Sequence, residues 1–312
     1  MSVQPVHGER ALLVASRGKR WLVIGDLHIG IENDYLKKGF KIPDQAPSLL
    51  RRILTLIDDK RPDGLVLLGD VKHRIPIARE FEARKVAQVL STLSESIPVT
   101  VVRGNHDGGL RGILPQGVTM SNELIIGTTG LTHGMSWPTR ELMKCRTLVM
   151  AHTHPAVLLQ DERLRRILEP CWLRAVFRKK ATSGFYEPPY PELVVMPAFG
   201  DLRSGMAVNE KGAHLLGPLF RNGLADLRNA HIHLADGTYL GKVADLEVEG
   251  RGRFLRGQWG NKGRRSMGHR SCRAANNGVA GDASSPTPGT PRGSFRGQGR
   301  RGGPGKQRGR HG

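Results

Sequence analysis

The chain of 312 residues has little cysteine, few aromatic residues and no long apolar run. Its three cysteines are scattered and odd in number, which argues against a disulfide framework and against a zinc ribbon. No apolar run approaches the roughly 18 residues of a membrane span, and the first 20 residues carry five charged side chains without a signal-peptide stretch. We therefore expect a cytoplasmic protein without a membrane segment.

Acidic residues are almost missing from the last fifth of the chain. Residues 251–312 contain 15 lysines and arginines, 16 of the 40 glycines and a single acidic residue, Asp282. Residues 1–250 carry 33 basic and 27 acidic side chains, so most of the net charge of +20 comes from the end of the chain. A segment this poor in Ile, Leu and Val cannot offset its ordering entropy by burial. We predict a folded domain over residues 1–250 and a disordered basic tail, rich in Gly and Arg, over residues 251–312.

The tail has two interpretations. It is either a flexible arm that binds the phosphates of RNA or DNA without sequence preference, or a solvated extension without a specific partner. We favour nucleic acid as the partner, because clustered positive charge is enough for non-specific association. The sequence leaves the oligomeric state open.

Helical and strand patterns alternate along the folded part. Apolar spacing typical of amphipathic helices covers residues 47–60 and 79–96, and short apolar runs typical of buried strands lie before and after them. The predicted strands are residues 11–16, 21–24, 65–68, 99–102, 124–131, 148–150, 193–196 and 213–216, with a hairpin around Asp236-Gly237. This alternation predicts an α/β fold whose sheet is covered on both faces.

Five of these strands are followed by side chains that can bind metals. The residues are Asp26, His28, Asp70, Asn105, His106, His133, His152 and His154. Ligands of α/β sheets bind beyond the carboxyl ends of the strands, so we expect these distant residues to meet in one crevice. Taken singly, an Asp-x-His or a Gly-Asp is common turn chemistry, but the whole set at strand ends favours a real metal site.

The residue types suit a pair of divalent cations that hydrolyse phosphate esters. Such cations take carboxylate, amide oxygen and imidazole, and a pair about 3.5–4 Å apart needs one shared carboxylate. Asp70 suits the shared position, and Asn105 supplies a neutral oxygen. A water that bridges the two cations has a lowered pKa and can attack phosphorus in line. Mixed oxygen and nitrogen ligation favours Mn²⁺, with Fe and Zn²⁺ as alternatives.

Five short motifs resemble those of the calcineurin-like metallophosphoesterases. They are Gly25-Asp26-Leu27-His28, Gly69-Asp70, Gly104-Asn105-His106-Asp107, His133-Gly134 and His152-Thr153-His154. The chain is especially similar to the archaeal SbcD-related phosphoesterases, also in residues 68–73, 169–173 and 197–199. The resemblance covers residues 10–247 and implies a four-layer sandwich, in which helices flank two mixed β-sheets and the metals lie at the strand ends.

The resemblance also implies a role for each residue. Asp26, His28 and His154 would hold the first metal, Asp70 would bridge, and Asn105, His133 and His152 would hold the second. His106 would be the catalytic residue, contacting a phosphate oxygen or protonating the leaving group. Lys72, His73 and Arg103 lie beside these motifs and are candidates for contact with a substrate phosphate.

We therefore expect a dimetal-dependent phosphoesterase that hydrolyses phosphodiester bonds of nucleic acid or nucleotides, which includes nuclease activity. One alternative is a phosphatase or phosphodiesterase for a small phosphorylated metabolite. Another is a nucleic-acid-binding protein whose metal site is not catalytic. An open basic groove beside Asp70 and His106 would favour a polymer, and a closed lid from residues 171–190 a small molecule.

Overall fold

The computed structural model describes residues 2–161, 163, 165–202 and 205–249. In this part of the chain, two mixed β-sheets of six and nine strands are flanked by helices. The α/β prediction with two mixed sheets is thus confirmed. The predicted tail, residues 251–312, lies outside the described residues.

The first sheet takes its strands from the first 121 residues. They are β1 Ser2–Pro5, β2 Leu12–Ser16, β3 Lys19–Ile24, β4 Gly64–Leu68, β5 Val99–Val102 and β6 Val118–Ser121. Their order in the sheet is the same as their order in the chain. β1, β2 and β3 pair antiparallel, whereas β3 to β6 run parallel, so β3, β4, β5 and β6 end at the same edge.

The second sheet holds the remaining strands. They are β7 Glu123–Ile126, β8 Thr129–Thr132, β9 Thr147–Met150, β10 Pro155–Gln160, β11 Arg166–Ala175, β12 Glu192–Val195, β13 Met206–Ala207, β14 His231–Leu234 and β15 Tyr239–Lys242. The sheet order is β13-β10-β11-β12-β9-β8-β7, with β14 paired to β11 and β15 to β14. β8, β9 and β12 run parallel, so they also share an edge.

Two long helices and several short ones complete the described part. The helices are α1 Glu32–Lys37, α2 Ala46–Lys60, α3 Glu80–Ser96, α4 Arg140–Met143, α5 Lys179–Thr182 and α6 Pro218–Arg221. Helices α2 and α3 confirm the two amphipathic patterns to within one residue at each end. Among the described residues, no helix has both the length and the apolarity that crossing a membrane requires.

The layers follow from the alternation of side chains along each strand. In β3, Leu22 and Ile24 pack in a core that contains Leu90 of α3, whereas Val23 packs in another core with Val149 of β9. A third core on the far side of the second sheet contains Leu148 of β9. Because the central strands are covered on both faces, their sequences are almost continuously apolar.

Two strand predictions are wrong. Residues 124–131 form most of the β7–β8 hairpin rather than one strand, because the chain turns at Gly127, whose φ is 62°. Residues 213–216 form no strand, because the chain turns on either side of them, at Gly212 and Gly217. The strands β10 and β11 have no counterpart in the sequence prediction.

The core around α3 gives a stability prediction. Leu90→Ala removes a side chain that is 0% exposed, so we expect the free energy of unfolding to fall by about 2–5 kcal/mol. Leu36→Ala is the control, because Leu36 is 58% exposed and should change stability by less than about 0.5 kcal/mol. Urea denaturation measures both, and equal losses would contradict this assignment of the core.

Candidate metal centre

The two sheets deliver the predicted site residues from one shared region of strand ends. In the first sheet, Asp26 and His28 follow β3, Asp70 follows β4, and Asn105 and His106 follow β5. In the second sheet, His133 follows β8, and His152 and His154 follow β9. The loops of the two sheets meet, so that atoms of these residues lie a few ångströms apart.

One group of potential ligands consists of Asp26, His28 and His154. Their potential ligand atoms all lie within 4.8 Å of one another, and the three residues are buried. Asp26 Oδ1 is 3.2 Å from His154 Nε2, although 128 positions separate the two residues in the sequence. This is the set that the sequence assigns to the first metal.

A second group consists of Asp70, His133 and His152, whose potential ligand atoms also lie within 4.8 Å of one another. Asp70 Oδ1 is 3.4 Å from His133 Nε2. Asn105 joins this group, because its Oδ1 is 3.2 Å from the same Nε2 atom. All seven predicted ligands are thus brought together, and their roles as ligands stay predictions.

Asp70 lies between the two groups. Its Oδ2 is 3.7 Å from His28 Nε2 of the first group, while its Oδ1 faces His133 of the second. The groups are also in contact through Asp26, whose Oδ1 is 3.8 Å from His133 Nδ1. A carboxylate with one oxygen toward each group occupies the position that two neighbouring cations require of a shared ligand.

The site loops are held in a strained backbone conformation. Seven non-glycine residues of the described part have positive φ, and five of them are Asp26, His28, Asp70, His152 and His154. Such conformations cost about 1–3 kcal/mol each and cluster at functional sites. Backbone bonds between the loops hold them, since the Asp26 amide donates to Gly69 O at 3.0 Å and the His28 amide to Asp70 O at 2.9 Å.

The imidazoles keep the buried carboxylates ionised. Burial by itself would raise the pKa of Asp26, but His154, His133 and His28 outweigh burial and lower that pKa. The pKa of Asp70 is lowered in the same way, chiefly by His133. These two carboxylates, with four imidazoles and one amide oxygen, fit a pair of divalent cations.

The same neighbours separate the pKa values of two site histidines. Burial alone would lower the pKa of His133, but the bond to Asp70 and the charge of Asp26 raise it to about 9. Burial lowers the pKa of His152 to about 4, and the charge on His133 adds to this effect. The two histidines differ because His133 is bonded directly to the Asp70 carboxylate, whereas His152 has the His133 charge beside it.

His106 lies at the margin of the two groups. Its amide donates to Asp70 Oδ1 at 2.8 Å, and its Nε2 is 3.8 Å from Asp70 Oδ2. Its Nδ1 is bonded to the His73 carbonyl, which can only accept, so the proton lies on Nδ1. The Nε2 lone pair is thereby turned toward the site.

Lys72 is placed differently from what contact with a substrate requires. The residue is 1% exposed, and its ammonium donates to the carbonyls of Arg74, Pro76 and His106. We therefore correct the sequence interpretation, since Lys72 holds the loop of His106 in place. Asp107 has a related role, because its carboxylate accepts from the amides of Gly104 and Val71 at 2.8 and 2.9 Å.

His73 lies between His28 and a carboxylate that sequence reasoning missed. Its Nε2 is 2.9 Å from Asp34 Oδ2, and its Nδ1 is 3.3 Å from His28 Nδ1. His28, His73 and His106 also form a third cluster with potential ligand atoms within 4.8 Å. Asp34 belongs to the short helix α1 and lies in no motif that could have pointed to it.

Arg103 is exposed beside the site, and its contact with substrate stays a prediction.

Gly69 provides a test of how closely the second group is packed. A Cβ at this position would lie 2.2 Å from His133 Nδ1, and φ is +81°. We expect Gly69→Ala to displace His133 and weaken Mn²⁺ binding about 10–100-fold, the range seen when support of a ligand is lost. Calorimetric titration with Mn²⁺ measures this change.

Gly112→Ala is the matched control, because a Cβ there would meet nothing within 4 Å. Its Mn²⁺ affinity should equal that of the unaltered chain. Unchanged Mn²⁺ binding by Gly69→Ala, with circular dichroism showing a folded protein, would mean that His133 is not a ligand.

Comparison with known proteins now assigns the family. Solved structures similar to this chain include the Pseudomonas putida nuclease MPE, with 18% identity, 75% of this chain and 98% of that chain covered, and a TM-score of 0.46. Another is the phosphoesterase Yfce from E. coli, with 16% identity, coverage of 72% and 98%, and a TM-score of 0.33. A search of curated proteins gives no match. The calcineurin-like phosphoesterase family matches residues 19–178, just over half of the chain, so the chain belongs to that family.

Proposed function

We propose that this protein is a metal-dependent phosphoesterase that hydrolyses phosphodiester bonds of nucleic acid or nucleotides. One observation carries the proposal: two groups of potential ligands lie side by side, the carboxylate of Asp70 faces both of them, and the imidazole of His106 lies beside them. The family uses a dimetal centre, and both groups could hold a metal.

Two divalent cations, for which we propose Mn²⁺, supply an activated water and neutralise the phosphate oxygens when bound. The chain's own residues would position these cations and the substrate. Asp26, His28 and His154 would hold one cation, Asn105, His133 and His152 would hold the other, and Asp70 would serve both. The strained loops fix these side chains before substrate arrives, so little reorganisation is needed during the reaction.

His106 is the residue to which we assign the proton transfer. Its Nδ1 proton is bonded to the His73 carbonyl, and its backbone amide donates to Asp70, so both the ring and the backbone of His106 are held in place. The Nε2 atom can contact a phosphate oxygen and, once protonated, give its proton to the leaving oxygen. Lys72 supports this position through the His106 carbonyl.

We also propose that the chain is nearest to the SbcD-related branch of the family. Two of the three further segments that resemble this branch, residues 169–173 and 197–199, support the core and the site. Trp172 is 2% exposed in the core shared by the two sheets. The Phe199 amide donates to Gly25 O at 2.9 Å, directly before Asp26.

The proposed role of His106 predicts a loss of turnover without a loss of metal. We expect His106→Asn to lower the hydrolysis of bis-p-nitrophenyl phosphate with Mn²⁺ by about 10²–10⁴-fold, the usual contribution of a general acid. Metal content, measured by mass spectrometry, should stay the same. His231→Asn is the control, since His231 lies on the exposed hairpin and should keep full turnover. Full turnover by His106→Asn would remove it from the mechanism.

The choice of diester as substrate predicts the outcome of a panel. Single-stranded DNA, double-stranded DNA, RNA and bis-p-nitrophenyl phosphate are each incubated with the protein and Mn²⁺, beside p-nitrophenyl phosphate. We expect turnover of at least one nucleic acid and of the small diester, and its loss in Asp70→Asn. Turnover of the monoester alone would favour the alternative of a small-metabolite phosphatase.

The tail is proposed as an arm that binds nucleic acid. It supplies 15 basic residues over residues 251–312, so several phosphates can be contacted at once. We expect oligonucleotide affinity of the full chain to fall by orders of magnitude between about 50 and 200 mM salt. A chain that ends at Glu249 should bind more weakly and show a flatter dependence. Salt-insensitive binding by the full chain would contradict this role.

A further inference from the structure

An exposed aromatic pair lies one loop away from the metal centre. Trp137 and Phe185 stack with ring centroids 4.7 Å apart and planes inclined by 17°. Trp137 is 41% exposed and Phe185 is 49% exposed. Of the three tryptophans that the structure describes, only Trp137 is exposed. Large aromatic rings left in water together commonly mark a binding surface.

The pair is held in place by contacts from both of its segments. Tyr186, next to Phe185, donates a hydrogen bond from its hydroxyl to the Pro138 carbonyl at 2.7 Å. The Phe185 and Tyr186 amides both donate to Thr182 O at 2.9 Å. Two segments far apart in sequence are therefore fixed to each other, and the pair presents a preformed surface.

The chain itself limits how far this surface can be from the site. Trp137 follows His133 by four residues, and four residues span at most about 14 Å when fully extended. Gly134, between them, packs against Gly217, and the position of the missing Gly217 Cβ lies 3.8 Å from His152 Cδ2. The pair is thus within a few nucleotides of a phosphate bound at the metal centre.

Basic side chains line two neighbouring cavities on the Phe185 side of the aromatic pair, while the acidic Glu123 lies on the Trp137 side, where it accepts from the Thr139 amide at 3.1 Å. A cavity of about 260 Å³ beside Phe185 is lined by Arg140 and Lys144, with Glu187 as its acidic residue. A second cavity of about 810 Å³ is lined by Lys179, Lys180 and Glu192. Both cavities are also lined by Ser183, so they are neighbours. Glu192 is 3.3 Å from Arg174, and the four lining cations are all exposed.

We propose that this surface binds a single-stranded segment of nucleic acid, with one base stacked on Trp137 and the adjoining phosphates near Arg140, Lys144, Lys179 and Lys180. Exposed aromatic rings interleaved with cations match the flat bases and repeating anions of a single strand. A duplex hides the faces of its bases, so the surface selects unpaired substrate. This inference rests on the proposed function, because it places the strand beside a phosphodiester-cleaving centre.

The test compares a base-bearing and an abasic oligonucleotide of equal length, each labelled with fluorescein. Anisotropy titrations use the full chain in EDTA, so that no cleavage occurs, and the quantity measured is the ratio of the two affinities. Tail contacts with phosphate are common to both probes and cancel in this ratio. Stacking of one base should make the unaltered chain prefer the base-bearing probe at least about fivefold.

Substitutions at Trp137 identify the ring responsible. We expect Trp137→Ala to bring the ratio close to one, and Trp137→Phe to keep most of it, because a phenyl ring can still stack. Tyr239→Ala is the control, since Tyr239 is 52% exposed on the hairpin of β15 and should keep the original ratio. An unaltered ratio in Trp137→Ala, or an equal loss in Tyr239→Ala, would overturn the inference.

The same oligonucleotide separates this inference from the proposed function. Incubation of the unaltered chain with Mn²⁺ measures its cleavage. Base-dependent binding without cleavage of any diester would leave the surface assigned and reject the phosphodiesterase. Cleavage together with an affinity ratio of one in the unaltered chain would keep the phosphodiesterase and reject the surface.

Discussion

The burial of two carboxylates beside four imidazoles is the constraint on which the rest of this structure depends. Asp26 is 0% exposed and Asp70 is 2% exposed, and charged groups buried in this way need partners close by. The partners come from distant parts of the chain, as the 3.2 Å approach of His154 to Asp26 illustrates. The parallel strands, the loops at positive φ and the contact of Gly69 with His133 all bring these groups within reach of one another.

The two sheets contribute different chemistry to the centre. The first sheet supplies both carboxylates and the amide of Asn105, whereas the second supplies three of the imidazoles. The centre therefore exists only when the sheets are packed through their shared core, which includes Val23 and Trp172. Assembly of the ligand set thus depends on packing of that core, and a substitution that disturbs one should also disturb the other.

The sequence was most informative where local pattern and strand-end geometry agree. Helices α2 and α3 and the gathering of seven side chains followed from apolar spacing and from the rule that ligands bind at strand ends. Local pattern could not reveal that Lys72 is buried or that Asp34 reaches His73, because both facts depend on how distant loops cross. Residues 213–216 have the composition of a strand, but the chain turns on both sides of them, so no strand forms there. The exposed stacking of Trp137 on Phe185 likewise depends on contacts between segments that are far apart in the sequence.

A single residue, Asn122, forms the chain connection between the two sheets, because β6 ends at Ser121 and β7 begins at Glu123. A cut at this position would leave Asp26, His28, Asp70, Asn105 and His106 on one fragment and the other three histidines on the second. Neither fragment would then carry a complete coordination sphere. Bound cations would hold the two fragments together, so the extent to which a cleaved protein reassembles would depend on the metal concentration.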